Sequence, residues 1–260
     1  MSTPFLKQGF AVFVLAATLT AALTVRGQPT TNAAFAARAQ QAFVRAQQEL
    51  TAHPERADAS IQLGRTTYDW AEFATNRDQR ARIALAGIDA CRQLLARDPR
   101  SAAGHYYLGM DYGELAEAEE PSVAAYKLIR EIEHEFKAAE DLDERFDFAG
   151  PARCLGLLYR DAPGWPISIG SRRKARECLE RAAALAPDFP ENQMNLLESH
   201  LRWRQAAEAE KAWQKLAALW PAARTNLTGV AWEFDWADWT NRRAAAREDF
   251  QKTFKRAPEP

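Results

Sequence analysis

The sequence predicts an all-α chain built as an array of helix hairpins, and three observations predict it. The spacing of Ala175, Leu179, Ala182 and Pro187 returns 34 residues later as Ala209, Trp213, Leu216 and Pro221. A second signature, Leu then Gly, precedes such segments as Leu63-Gly64, Leu108-Gly109-x2-Tyr112 and Leu155-Gly156-x2-Tyr159. Apolar residues recur with a 3.6-residue period through most of the chain, whereas strand-like alternation is scarce.

Helices are expected at 33–53, 56–75, 78–97, 101–117, 121–141, 150–161, 171–186, 190–204, 206–219 and 237–256. Their breaks carry Pro54, Pro99, Pro121, Pro151, Pro187, Pro190 and Pro221. Proline lacks the N–H a helix interior needs, so Pro187 and Pro221 are expected to stop their helices. The Ala- and Gln-rich helix from Ala33 has no preceding partner and reads as a cap or half repeat. In each hairpin, Gly beside Leu lets the second helix approach closely, while small Ala175 and Ala182 leave room for neighbours and Leu179 or Trp213 fills the layer. The Leu-Gly pairs are 45 and 47 residues apart, from Gly64 to Gly109 to Gly156, which requires longer helices or insertions.

The 34-residue period, the small-large-small-Pro order and the Leu-Gly-x2-Tyr stretches resemble the tetratricopeptide repeat (TPR). The resemblance implies a helix-hairpin solenoid whose work is recognition. The clearest repeats are 57–99, 102–144, 149–187 and 190–221, followed by a C-terminal cap at 222–260. TPR grooves are lined by first helices. Carrying over that register places Arg65, Tyr68, Asp69, Tyr106, Met110, Glu114, Arg153, Arg160, Asp161, Glu198 and Arg202 at partner-facing positions, with Trp165 beside them on an insertion. Arg makes two-point bonds to carboxylates, and Tyr and Met give adaptable apolar contact.

The stretch Ala149-Gly-Pro-Ala-Arg-Cys-Leu-Gly-Leu-Leu-Tyr159, the Pro163-Gly-Trp-Pro166 insertion and the segment from Ala175 to Pro190 are similar to exported bacterial TPR proteins of the kind represented by the T component associated with tripartite ATP-independent periplasmic (TRAP) transporters. That resemblance implies a periplasmic helical array engaging another protein, in that family a substrate-binding protein, with a central channel for an apolar ligand. The chain departs from the family in lacking a lipoprotein Cys after the apolar N-terminal run.

The N-terminus reads as a secretory signal over 1–27: Lys7 precedes an apolar run from Phe10 to Val25, and Val25 and Gly27 suit the small-residue positions before a cut. The run is short for a membrane span, and an uncleaved anchor is the alternative. Removing Lys7 and Arg26 leaves 32 basic against 35 acidic residues and moves the net charge from −1 to −3. No nucleic-acid partner follows from that balance. Cys91, Cys154 and Cys178 are expected as buried free thiols, with a Cys154–Cys178 pair across one hairpin as the other reading.

The insertion from Asp161 to Gly170 contains two prolines and two glycines that forbid helix, yet Trp165, Ile167 and Ile169 make it apolar. It is expected to fold back onto the array, with Trp165 either plugging an end of the core or lidding a binding surface, and Ser171 capping the next helix. Trp232, Phe234, Trp236 and Trp239 crowd the C-terminal end, as a solenoid cap or as an aromatic binding patch. Ala246, Phe250 and Pro258 repeat the small-large-Pro order of a second helix.

No motif points to catalysis. His53, His105, His134 and His200 are scattered, zinc spacings are missing, and Glu131-x-x-His134 has no second half-site. No P-loop, dinucleotide fingerprint or G-x-S-x-G occurs. The expectation is a non-enzymatic, cofactor-free and metal-free scaffold that binds a protein or peptide. A carrier of a small apolar ligand is the alternative.

Overall fold

The computed structural model describes residues 29–119 and 123–259. The expected signal segment lies outside the described residues, as does Pro121. Among the described residues there are ten α-helices, one 3-10 turn at Val230–Trp232 and no β-strand. The chain divides into two compact units, one holding the described residues of 29–142 with 161–169, the other residues 143–160 with 170–259.

The first unit contains α1 (Pro29–Ala52), α2 (Ala57–Ala71), α3 (Arg77–Arg97), α4 (Ala102–Ala118) and α5 (Val123–Leu142). α2 pairs with α3 and α4 with α5, while α3 packs on α4 and the two first helices, α2 and α4, lie side by side. α1 packs on α2 as a half repeat: Phe43 and Ala46 join Leu63, Ala71, Ile83 and Ala90 in one core cluster. The starts of α3 and α4 are fixed by side-chain caps. Asn76 Oδ1 accepts from the Gln79 N–H at 2.9 Å, and Ser101 Oγ from that of Gly104 at 3.1 Å. Gly109 sits against the ring of Phe136 on α5, where an added Cβ would come within 2.8 Å of Cε1.

The second unit contains α6 (Phe146–Asp161), α7 (Arg172–Leu185), α8 (Pro190–Arg202), α9 (Ala206–Asn226) and α10 (Glu233–Phe254). Gly156 of α6 meets Leu179 of α7: a Cβ there would lie 2.6 Å from Leu179 Cγ and 3.1 Å from its backbone N. The Leu-Gly signature thus marks a close helix crossing. Ala149, Ala152 and Ala182 pack together beside it, as the small-residue pattern requires. Ser171 caps α7 by accepting from the Lys174 N–H at 3.3 Å. Cys91, Cys154 and Cys178 are buried free thiols.

Some helix ends differ from expectation by about a turn or more, among them the start of α1 at Pro29 and the end of α2 at Ala71. Pro221 does not end α9, which runs on to Asn226 with Pro221 exposed on its surface. The right-handed part of α6 begins at Gly150, as expected, and is preceded by Asp147, Phe148 and Ala149 in the left-handed region (φ 49, 56 and 61°). α10 starts four residues before the predicted 237 and packs on α8, rather than pairing as a second helix with a first helix of its own.

Candidate functional site

The expected partner-facing residues fall into three physical groups. On α2 and α4 of the first unit, Tyr68, Tyr106, Met110 and Glu114 are buried, while Arg65 and Asp69 are half-buried. Tyr106 packs by its ring against Tyr107 and Phe136, at centroid distances of 5.3 and 5.9 Å. Glu114 is bound by Arg80 of α3, whose Nη1 reaches Glu114 Oε2 at 2.6 Å and Glu117 Oε2 at 2.8 Å.

Carboxyl groups cluster around Arg80. Burial pushes the Glu114 carboxyl well up from its usual range, Glu72 and Glu117 add to that shift, and Arg80 only partly opposes it. Burial likewise pushes Glu117 up to about 7, against the pull of Arg80. Burial opposes the Arg80 charge, but Glu114 and Glu117 outweigh it and raise its pKa.

In the second unit, Arg153 organises a buried network. Its guanidinium donates to Asp147 Oδ2 at 3.0 Å, to the Phe148 carbonyl at 3.2 Å and to Asn192 Oδ1 at 3.1 Å. Asn192 in turn donates to the carbonyls of Phe148, Ala182 and Ala186 at 3.0 to 3.2 Å. These bonds converge on the left-handed turn, whose backbone conformation is unfavourable for residues other than glycine and persists because its surroundings over-determine it. Phe148 stacks on Phe189 at 4.4 Å, and Arg153 lies over the same Phe189 ring at 5.3 Å.

Glu198 is held by Arg242 of α10, and Arg160 donates to Ser199 Oγ at 3.3 Å. Of the expected residues of this unit, Arg202 alone has an exposed side chain.

The insertion presents the third group. Trp165 is 89% exposed and Ile167 62% exposed, so Trp165 is no core plug. The tip does not hang loose, because the N–H groups of Ile167 and Ser168 both donate to the Gly164 carbonyl, at 3.0 and 3.2 Å. Where the loop returns, the Ser171 N–H donates to the Tyr159 carbonyl at 2.8 Å. Asp161, at the loop's start, is half-buried.

The C-terminal aromatics form a core. Trp232, Trp236 and Trp239 are buried, with Trp236 and Trp239 edge-on at 4.9 Å and Trp239 edge-on to Phe189 at 5.6 Å. Phe234 is half-buried. Beside them an open cleft of about 590 Å³ is lined by Arg224, Leu227, Thr228, Gly229, Glu233, Trp236, Ala237, Thr240 and Asn241, with Arg224 4.3 Å above the Trp236 ring.

Sequence reasoning missed Arg80, Asp111, Asn192 and Arg242. Only Asp111 left a signal: an acid three residues after Leu108 and four before Leu115 stands on an apolar stripe of its helix. Among the described residues no group of three or more His, Cys, Asp or Glu side chains is arranged to hold a metal ion, and no helix is long and apolar enough to cross a membrane.

The architecture is shared with solved structures. A thermophilic TPR protein of Thermus thermophilus, TTC0263, is 22% identical, with 83% of this chain and 94% of that one aligned at a TM-score of 0.60. Yeast Tom70 aligns over 95% of this chain and 71% of its own at 13% identity, but its TM-score of 0.29 adds nothing to the assignment. No protein-family profile and no curated protein matches the sequence. The chain has the all-α fold of tetratricopeptide-repeat proteins.

Proposed function

We propose that this protein is a non-catalytic scaffold that binds a protein or peptide partner in the cell envelope, after export and cleavage close to Gly27. The observation that carries the reading is Trp165. A large aromatic side chain at 89% exposure on a hydrogen-bonded turn, with Ile167 beside it, is what an interface anchor looks like before its partner arrives. Of the first-helix residues, Arg65, Asp69, Arg160, Asp161, Glu198 and Arg202 keep solvent exposure and remain candidates for partner contact, whereas Tyr68, Tyr106, Met110, Glu114 and Arg153 are buried. A periplasmic substrate-binding protein is the partner that the TRAP-type resemblance suggests.

The carrier reading receives less support. The cleft beside Trp236 is open, and it mixes Arg224, Glu233, Thr240 and Asn241 with its apolar lining, whereas a carrier of an apolar ligand calls for an enclosed apolar cavity.

The test replaces Trp165 by a photo-crosslinking phenylalanine analogue in the exporting host. A single protein crosslinked through position 165, and lost from pull-downs by the Trp165→Ala chain, supports the scaffold. Unchanged recovery of every partner by Trp165→Ala removes the insertion from the interface.

A further inference from the structure

Asp111 lies on α4 with no solvent exposure, and neither carboxylate oxygen has a hydrogen-bond partner. It fits into the seam between α2 and α3 because glycine stands opposite it. A Cβ on Gly87 would run into Oδ2 and come within 2.7 Å of Cγ, and one on Gly64 would lie 3.6 Å from Oδ2. The same would-be Cβ on Gly87 falls 2.8 Å from Thr67 Cβ, which places Thr67 at the acid's side. The Thr67 hydroxyl is also buried and without a hydrogen bond.

Acids and a thiol crowd the seam together with Tyr107, and the nearest cation, Arg80 of α3, is engaged by Glu114 and Glu117. Asp69 of α2 and Glu114 of α4 act on Asp111 electrostatically, and Cys91 of α3 is itself affected by Asp111 and by Glu135 of α5. No cation is among the groups acting on Asp111.

We propose that Asp111 is a proton-binding site built into the first unit, holding its proton at neutral pH in the glycine-lined seam, and that loss of this proton opens the packing of α2, α3 and α4. The physical reason is the cost of an isolated buried anion, which exceeds that of a neutral acid many times over, so the group keeps its proton until the seam admits water. Burial, with Glu114 and Asp69 adding to it, drives the Asp111 carboxyl well above its usual range in accord with this geometry. Because α2 and α4 also carry Arg65, Tyr68, Asp69, Tyr106, Met110 and Glu114, opening the seam reshapes that face. The inference stands apart from the scaffold reading and needs no partner for its test.

The experiment uses the full mature chain labelled with ¹³C at the aspartate side-chain carboxyls, titrated by NMR, with amide hydrogen exchange followed over residues 57–97 and 102–118. One aspartic carboxyl is expected to remain protonated at pH 7 and to be missing in Asp111→Asn. As pH rises and that signal titrates, exchange corrected for its intrinsic pH dependence should accelerate at least tenfold in the wild type and stay flat in Asp111→Asn. If Asp111→Asn does not fold, Asp111→Ser, small and neutral, takes its place. A wild-type spectrum in which every aspartate is ionised at pH 7 overturns the proposal. So does the same alkaline rise in exchange in the neutral variant.

Discussion

Arg242 Nη1 donates to both carboxylate oxygens of Glu191, at 2.7 and 3.0 Å, across 51 residues of sequence. The same guanidinium reaches Glu198 through Nε and Nη2, both at 2.8 Å, and Asn195 at 2.7 Å, while the Trp239 indole N–H donates to Glu191 at 2.6 Å. Burial works against the Arg242 charge, and Glu191 and Glu198 more than offset it. This network ties α10 to α8.

Arg242→Met should therefore leave buried Glu191 and half-buried Glu198 without their counter-charge, at a cost of about 3 to 5 kcal/mol. Urea denaturation of the variant measures the loss. Adding Glu191→Gln and Glu198→Gln should restore most of it, and a triple variant as unstable as Arg242→Met would show that packing, not charge, holds α10.

Gly156→Leu should overpack the α6–α7 crossing, because even a Cβ intrudes on the Leu179 backbone. The expected loss is roughly 1 to 3 kcal/mol. An unchanged melting temperature would refute the crossing.

Trp165→Ala should leave stability within about 0.5 kcal/mol of wild type, since the ring is mostly in water. Affinity for the crosslinked partner should fall by about 2 kcal/mol, as for an aromatic anchor. Calorimetric titration and a thermal melt on the same preparation check both halves.

Glu117 gives a pH dependence of defined sign. Its folded-state pKa is raised to about 7 by burial, above the ~4.3 of an unfolded glutamate. The folded chain therefore binds the extra proton, and this contribution to stability, complete below pH ~4.3, declines as pH rises through about 7. Melts from pH 4 to 8 should show a downward slope that is shallower in Glu117→Gln; a parallel slope would move the effect to other groups.

N-terminal sequencing of the exported protein should begin near Gln28. Retention of Lys7 would indicate an anchored or unexported chain.

Helix positions were legible in the sequence because they depend on neighbours within a turn or two: the 3.6-residue apolar period, Ser101 and Ser171 at helix starts, and the Leu108-Gly109 and Leu155-Gly156 pairs at close crossings. The repeat spacing carried the fold for the same reason. What a side chain faces depends on residues tens of positions away, and there local pattern gave out. Trp165 reads either as a core plug or as a lid over a binding surface, and only the turn at Gly164, which holds it in solvent, decides against the plug. Tyr106, Met110 and Arg153 occupy partner-facing register positions, yet tertiary packing buries all three. Asp111 stands on an apolar stripe of its helix, a local hint of burial, whereas nothing local marks Arg242. Only the assembled fold places one in a glycine seam without a partner and the other between two glutamates, because burial and charge pairing are set by packing in three dimensions, which helical periodicity does not encode.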